Sequence, residues 1–140
     1  MGLSAARNTQ AFGDGATKRL SLPQKTNTTI YAGALVVLDG GYAAPGTTAT
    51  GKIAVGRART TQTNSGSSGA VSIDVDTDMA FLWENDANDA LAQAQAGALC
   101  YVKDDHTVSK TSTGKSIAGR FAGFGPDGVQ VIVKMGIGIG

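Results

Sequence analysis

The sequence predicts an all-β fold, and three observations carry that reading. Turn signals built from Gly, Pro, Asp and Asn recur about every ten residues, the spacing of short antiparallel strands. Val71, Ile73 and Val75 alternate with Ser72, Asp74 and Asp76, and Met79, Phe81 and Trp83 continue the parity. A period of two marks a half-buried strand. Only one stretch, residues 86–96, has helical character, and it is short. The total is seven or eight short strands with one short helix. That pattern suits a sandwich, a jelly roll or a small barrel.

Taken in order, residues 1–25 show no sustained period and read as an extended N-terminal arm closed off by Pro23. Residues 29–38 (TIYAGALVVL) form an apolar stretch ended by Asp39-Gly40-Gly41. Residues 42–44 begin a return strand that Pro45-Gly46 interrupts. Residues 52–58 (KIAVGRA) alternate, with Ile53 and Val55 on one face. Residues 59–69 (RTTQTNSGSSG) are polar and read as a loop with a mobile tip. The alternating segment 70–84 is one long strand or two in series. In residues 86–96, Asp86 or Asn88 can cap a helix that Gly97 stops. Residues 99–103 and 107–110 read as a hairpin. Residues 116–124 and 129–134 are two further strands, joined by the turn Gly125-Pro126-Asp127-Gly128.

Composition narrows the function classes. The chain has 140 residues and a net charge of +1, which gives no bulk drive toward nucleic acid. Leu, Ile, Val and Phe supply 29 residues while Gly supplies 20, so the core is lean. Association with another surface would supply missing burial. No apolar run approaches the roughly 18 residues of a membrane span, and no secretory signal is recognisable. One Cys excludes an internal disulfide framework, and one His makes most zinc sites improbable. No cofactor and no metal are expected. Charge is uneven, however. Residues 1–25 carry Arg7, Lys18, Arg19 and Lys25 against Asp14, whereas the remainder is slightly acidic.

Motif matches mostly dissolve on inspection. Residues 46–52 fit G-x-x-x-x-G-K, but Ile53 stands where a phosphate loop needs Ser or Thr, and the segment reads as a strand. Residues 123–128 fit G-x-G-x-x-G, but a strand rather than a helix follows. Asp74, Asp76 and Asp78 offer carboxylates that would suit a hard cation, a solvent-facing acidic ladder, or a landing strip for a neighbour's basic arm. Asp104-Asp105-His106 lies in a turn, and Cys100 lies in a strand. A catalytic cleft around His106 and Cys100 is the enzyme reading to weigh. Trp83 shares the parity of the core residues, yet Trp is also common at interface hot spots. The candidate partner-binding residues are therefore Arg7, Phe12, Lys18, Arg19, Leu20, Leu22 and Trp83. Residues 129–134 and 71–76 are the candidate sheet edges.

Residues 97–134 carry a further arrangement: an alanine-rich lead-in, then Gly97, Tyr101, Val102, Asp104 and Asp105, then Thr107 and Val108. Ser116, Gly119, Gly128, Val129, Val131 and Val133 complete it. With residues 28–41 and 51–56 as opening strands, this resembles the capsid decoration, or cement, proteins of tailed bacteriophages over roughly residues 27–134. The resemblance implies a jelly-roll-like β-sandwich at residues 26–136, with an arm at 1–25 and a tail at 137–140. It implies a virion protein, not an enzyme, bound to the major capsid protein on the outside of an icosahedral head. It implies no cofactor, no nucleic acid and no membrane, and, in the nearer likeness, a homodimer at two-fold positions, with trimers known in other members. The alternatives are another virion β-module of tail, fibre or baseplate, and then a small hydrolase or ligand-binding barrel.

Overall fold

A computed structural model of the chain describes residues 2–12 and 18–139. The part of the arm at 13–17, with Asp14, and the last residue of the tail lie outside the described residues. The described elements are strands and one 3-10 turn. β1 (Ala11–Phe12) and β2 (Lys18–Pro23) come from the arm. β3 (Thr28–Ile30), β4 (Leu35–Asp39), β5 (Tyr42–Pro45), β6 (Ile53–Ala58) and β7 (Gln62–Asn64) follow. β8 (Ser72–Thr77) and β9 (Met79–Asn85) precede the turn at Gln93–Gln95. β10 (Leu99–Val102), β11 (Thr107–Ser109), β12 (Ile117–Phe124) and β13 (Val131–Met135) complete the chain. The fold is all-β, as the alternation and turn spacing predict.

One sheet has the order β1-β9-β11-β10-β12-β13, and β13 pairs back onto β9. Five of its strands therefore close a ring. β9 makes this possible by dividing one edge between β1, opposite Ala80 and Phe81, and β11, opposite Glu84 and Asn85. A second sheet has the order β2-β8-β6-β4-β5. Its ends nearly meet, because Gln24 bridges Ala43 and the Lys25 N–H donates to the Ala43 carbonyl. β3 and β7 form a separate pair.

Two apolar cores fill this framework, and β4 separates them. Leu35 and Val37 join the larger core with Phe81, Trp83, Phe121, Val131 and Val133. Val36 points the other way, into the smaller core with Ile30, Val55, Ile73 and Val75. All three are essentially without solvent contact. A strand buried on both faces reads as a continuous apolar run, as Leu35–Val36–Val37 does. Each such side chain is worth about 1.5–3 kcal/mol of burial.

The structure departs from the sequence reading at several places, each with a local cause. The apolar stretch 29–38 is two strands, because the chain turns at Gly33 with φ +89. A Cβ there would lie 1.8 Å from the Arg7 carbonyl oxygen. The alternating segment 70–84, by contrast, is two strands in series, one of the two readings given, with the break at Asp78, φ 55, and β8 and β9 in different sheets. Residues 86–96 do not form the expected helix. The Asn85 amide donates to the Leu91 carbonyl and its oxygen accepts the Leu91 N–H, while Asp86 accepts from the Asn88 N–H. These local side-chain bonds replace helical ones. The polar stretch 59–69 contains β7, and Asn64 is buried, donating to the Gln24 and Ser67 carbonyls. Neither expected edge is one: β13 lies between β12 and β9, and β8 between β2 and β6.

The expected arm is extended, but its described parts belong to the body. β2 pairs with β8 over its full length, so residues 18–23 are part of the second sheet. Alternation supplies the reason: Leu20 and Leu22 pack against the smaller core while Arg19, Ser21 and Pro23 are exposed, and Lys18 is exposed at the strand's start.

Close approach of strands gives one stability test. A Cβ on Gly56 would lie 1.8 Å from the Asp76 carbonyl oxygen. Gly56→Ala is expected to lower the free energy of unfolding by about 1–3 kcal/mol in urea denaturation. Charge gives another. Burial pushes the Asp86 carboxyl up, but the Ser109 hydroxyl, the Asn88 N–H and Lys103 outweigh it and hold the pKa below the usual value. A depressed folded-state pKa contributes stability above the unfolded pKa that is lost as pH falls through the folded one. Asp86→Asn is expected to lower the melting temperature at pH 7, with the gap to wild type closing as pH drops below the usual Asp range.

Candidate functional site

The cations and apolar residues of the arm are spent largely within the chain. Arg7 sits half-buried with its guanidinium 5.7 Å from the Trp83 ring centroid. Its Nη1 donates to the Thr9 hydroxyl at 2.7 Å and to the Leu82 carbonyl at 3.1 Å, and its Nη2 donates to Gln130 Oε1 at 2.7 Å. Burial lowers the Arg7 pKa, and the field of Glu84 opposes that shift. Arg7 thus pins the segment before β1 across β9. Its own backbone N–H donates to the Ala32 carbonyl.

Trp83 is not a partner anchor. It is fully buried, 6.2 Å from Phe81 between ring centroids, and its indole N–H donates to the Met135 sulfur. Its parity with Phe81 placed it in the core, where it packs with Phe81, Phe121, Val131 and Val133. Phe12 is half-buried in β1 opposite Ala80. Leu20 and Leu22 are half-buried as described above. Of the candidate residues, only Lys18 and Arg19 are exposed, and Lys18 lies 3.7 Å from Asp78.

Asp76 and Asp78 of the acidic run have cationic partners within the chain. Arg19 lies opposite Asp76 and Ser21 opposite Asp74 in the β2–β8 register. Asp76 is buried and takes two guanidiniums, Arg57 at 2.5 Å and Arg59 at 3.0 Å. Asp74, Asp76 and Asp78 therefore do not converge on a common point. Among the described residues the carboxylates that do cluster are Asp104 and Asp105, with His106, whose ligand-type atoms lie within 4.8 Å of one another. Internal bonds engage that cluster. The Leu3 N–H donates to Asp105, the His106 N–H donates to Asp104, and His106 Nδ1 lies 2.9 Å from Glu84. Cys100 is sealed in the larger core, and burial pushes its thiol up to about 12. A thiol with that pKa is not a nucleophile near neutral pH.

The surface feature that stands out is apolar. Ile53 is 51% exposed, Ile117 37% and Ile137 51%. All three line one open groove of about 600 Å³, formed by the start of β6, the start of β12 and residues 136–139 after β13. Ile139 lines it too, as do the small residues Gly51, Ala54 and Ala118. Its flanking cations are already engaged. Lys52 lies 2.7 Å from Asp39, and Lys115 lies 4.0 Å from Asp89. Sequence reasoning placed Ile53 on the same face as Val55 and set the tail aside. The available signal was Gly136-Ile137-Gly138-Ile139, where two bulky apolar residues stand among glycines with no strand partner in sequence.

Comparison of the chain with family models, curated proteins and solved structures finds no match.

The pinning by Arg7 has a measurable consequence. Arg7→Ala removes charge-assisted hydrogen bonds worth roughly 1.5–3 kcal/mol each. Backbone amides of residues 9–12, and of Leu82, whose N–H donates to the Gln10 carbonyl, are expected to exchange with deuterium about tenfold faster or more. Amides of the β12–β13 pair are expected to keep their wild-type protection.

Proposed function

We propose that this protein is a capsid cement protein. It binds the outer surface of an icosahedral phage head, contacts the major capsid protein, and ties neighbouring subunits together against internal DNA pressure. The observation that carries the reading is the isoleucine groove. It is a contiguous apolar surface on a small all-β body whose flanking lysines already have partners. Contiguous exposed apolar surface marks interaction sites in soluble proteins. A clamp needs only added contacts across a boundary, and many copies on one shell make weak contacts effective through local concentration. The pattern of strands and turns that resembles tailed-phage cement proteins supports the same reading. In it the protein acts as a homodimer at two-fold positions and sits on the virion exterior.

The test is co-sedimentation of the purified chain with expanded, undecorated heads. Saturation near one copy per major capsid subunit is the expected result. Ile53→Asp and Ile137→Asp, each checked for folding by circular dichroism, are expected to weaken binding by at least about tenfold, the loss typical of a central apolar contact. A folded chain that does not bind heads overturns the reading, and binding to tails or baseplates instead transfers the chain to another virion role.

A further inference from the structure

A second concavity lies on a different face, where the arm crosses β6 and β8. It is polar, about 340 Å³, and lined in part by Arg7, Asn8, Thr9, Arg57, Arg59 and Asp76. Its charges are linked through two small acceptors. The Thr9 hydroxyl accepts from Arg7 at 2.7 Å, and the Thr9 carbonyl accepts from Arg57 at 2.6 Å. The two oxygens of Asp76 accept from Arg57 at 2.5 Å and from Arg59 at 3.0 Å. Two guanidiniums thus share one buried carboxylate, Arg7 joins them through Thr9, and the lining carries two positive charges in excess.

This excess is not dispersed into water. The Arg57 guanidinium lies 5.2 Å from the Phe81 ring centroid, and Arg7 lies over Trp83. Their charges are held in place by aromatic faces and backbone carbonyls. Arg59 is the exception. Its side chain is 37% exposed, and one of its Nη groups is held by Asp76. A guanidinium carries five N–H donors in a planar fork, so most of those on Arg59 remain for a ligand. Asn8, which also lines the pocket, is exposed.

We infer that this pocket binds an oxyanion, with the outward edge of the Arg59 guanidinium as the ligand-facing donor and Arg57 and Arg7 as fixed background charge. The chemistry required is two acceptor oxygens in one plane, as in a carboxylate or one face of a phosphate. Arg is suited to this bidentate geometry in a way that Lys is not. Asp76 is the positioning residue. It orients Arg57 and Arg59 side by side and keeps the cluster from flying apart in the absence of a ligand. The ligand is supplied either as a free anion or as an acidic side chain of another protein. This inference does not depend on the isoleucine groove or on capsid binding.

The test uses the full chain with its arginine side-chain Nε–Hε signals assigned. One arm titrates inorganic phosphate and the other a blocked peptide containing one glutamate, with chloride adjusted to hold ionic strength constant. The expected result is a saturable shift of Arg59 and Arg57 while Arg19 and Arg120, on the outer surface, stay unmoved. Saturation by phosphate alone assigns a free oxyanion, and saturation by the peptide assigns a carboxylate side chain. Arg59→Gln is expected to weaken binding about tenfold or more, the loss of one charge-assisted contact. Arg59→Lys, which keeps the charge and loses the fork, is expected to fall between. Both variants keep the Arg57–Asp76 pair, and an unchanged circular dichroism melt verifies their folding. No saturable shift in either arm, or equal shifts at all arginines, overturns the inference.

Discussion

The structure depends on one strand being buried from both sides. β4 carries Leu35, Val36 and Val37 in succession; Leu35 and Val37 point into the larger core and Val36, between them, into the smaller one. A lean composition cannot fill two independent domains, so the two cores are built against a common wall. The wall is held at each edge. β5 and β6 pair with β4 on either side, the Leu35 N–H donates to the Asp105 carbonyl, and the Gly46 N–H donates to the Leu35 carbonyl. The last two bonds tie β4 to the neighbouring loops, including the turn between β10 and β11. Burial of three large aliphatic side chains in one short strand thus couples the ring to the second sheet.

Close backbone approach is what allows so few apolar residues to suffice. Gly56 lets β6 meet the Asp76 carbonyl, and Gly33 lets the arm lie against the turn after β3. Where strands come together in this way, hydrogen bonds and ion pairs replace side-chain bulk. The arm then contributes twice. Its leucines extend the smaller core, and Arg7 covers Trp83, the largest side chain of the larger one. A guanidinium is weakly hydrated for a cation, so placing it on an indole face costs less desolvation than an ammonium would.

Local pattern made much of this legible. The hairpin of β10 and β11, the turn at Gly125–Gly128 and the strands on either side follow from turn residues and alternation within a few positions. What was not legible depends on distant pairings. Closure of the ring needs β9 to meet β13 antiparallel and β11 parallel, and neither partner is marked in the sequence of β9. The arm gave no period because it belongs to two sheets in turn, with β1 on β9 and β2 on β8. Residues 86–96 have helical composition, but Asn85 closes a loop around Leu91 that propensity alone does not register. The burial of Trp83 was favoured by parity, and only ring closure distinguishes that from an exposed anchor.

The isoleucine groove shows the same limit from the other direction. Ile53 and Val55 share parity, so a regular strand would bury both or expose both. Between β4 and β6 the register shifts, with Val36 opposite Gly56 and Val37 opposite Ala54, and Val55 is the extra residue. At that bulge Val55 turns into the smaller core, while Ile53 is exposed. Bulges are features that re-aim side chains, and here the extra residue lets β6 place Ala54 in the larger core and Val55 in the smaller one. Ile53, opposite Leu38, is the first residue of β6 and is left exposed at the strand's end. Across the groove, Ile117 starts a strand paired on one side by Tyr101, and Ile137 follows the last residue of β13. The apolar surface lies where three strand ends stop being constrained by their neighbours. The groove is thus the place where the pairing that builds the two cores gives out, which leaves Ile53, Ile117 and Ile137 exposed side by side.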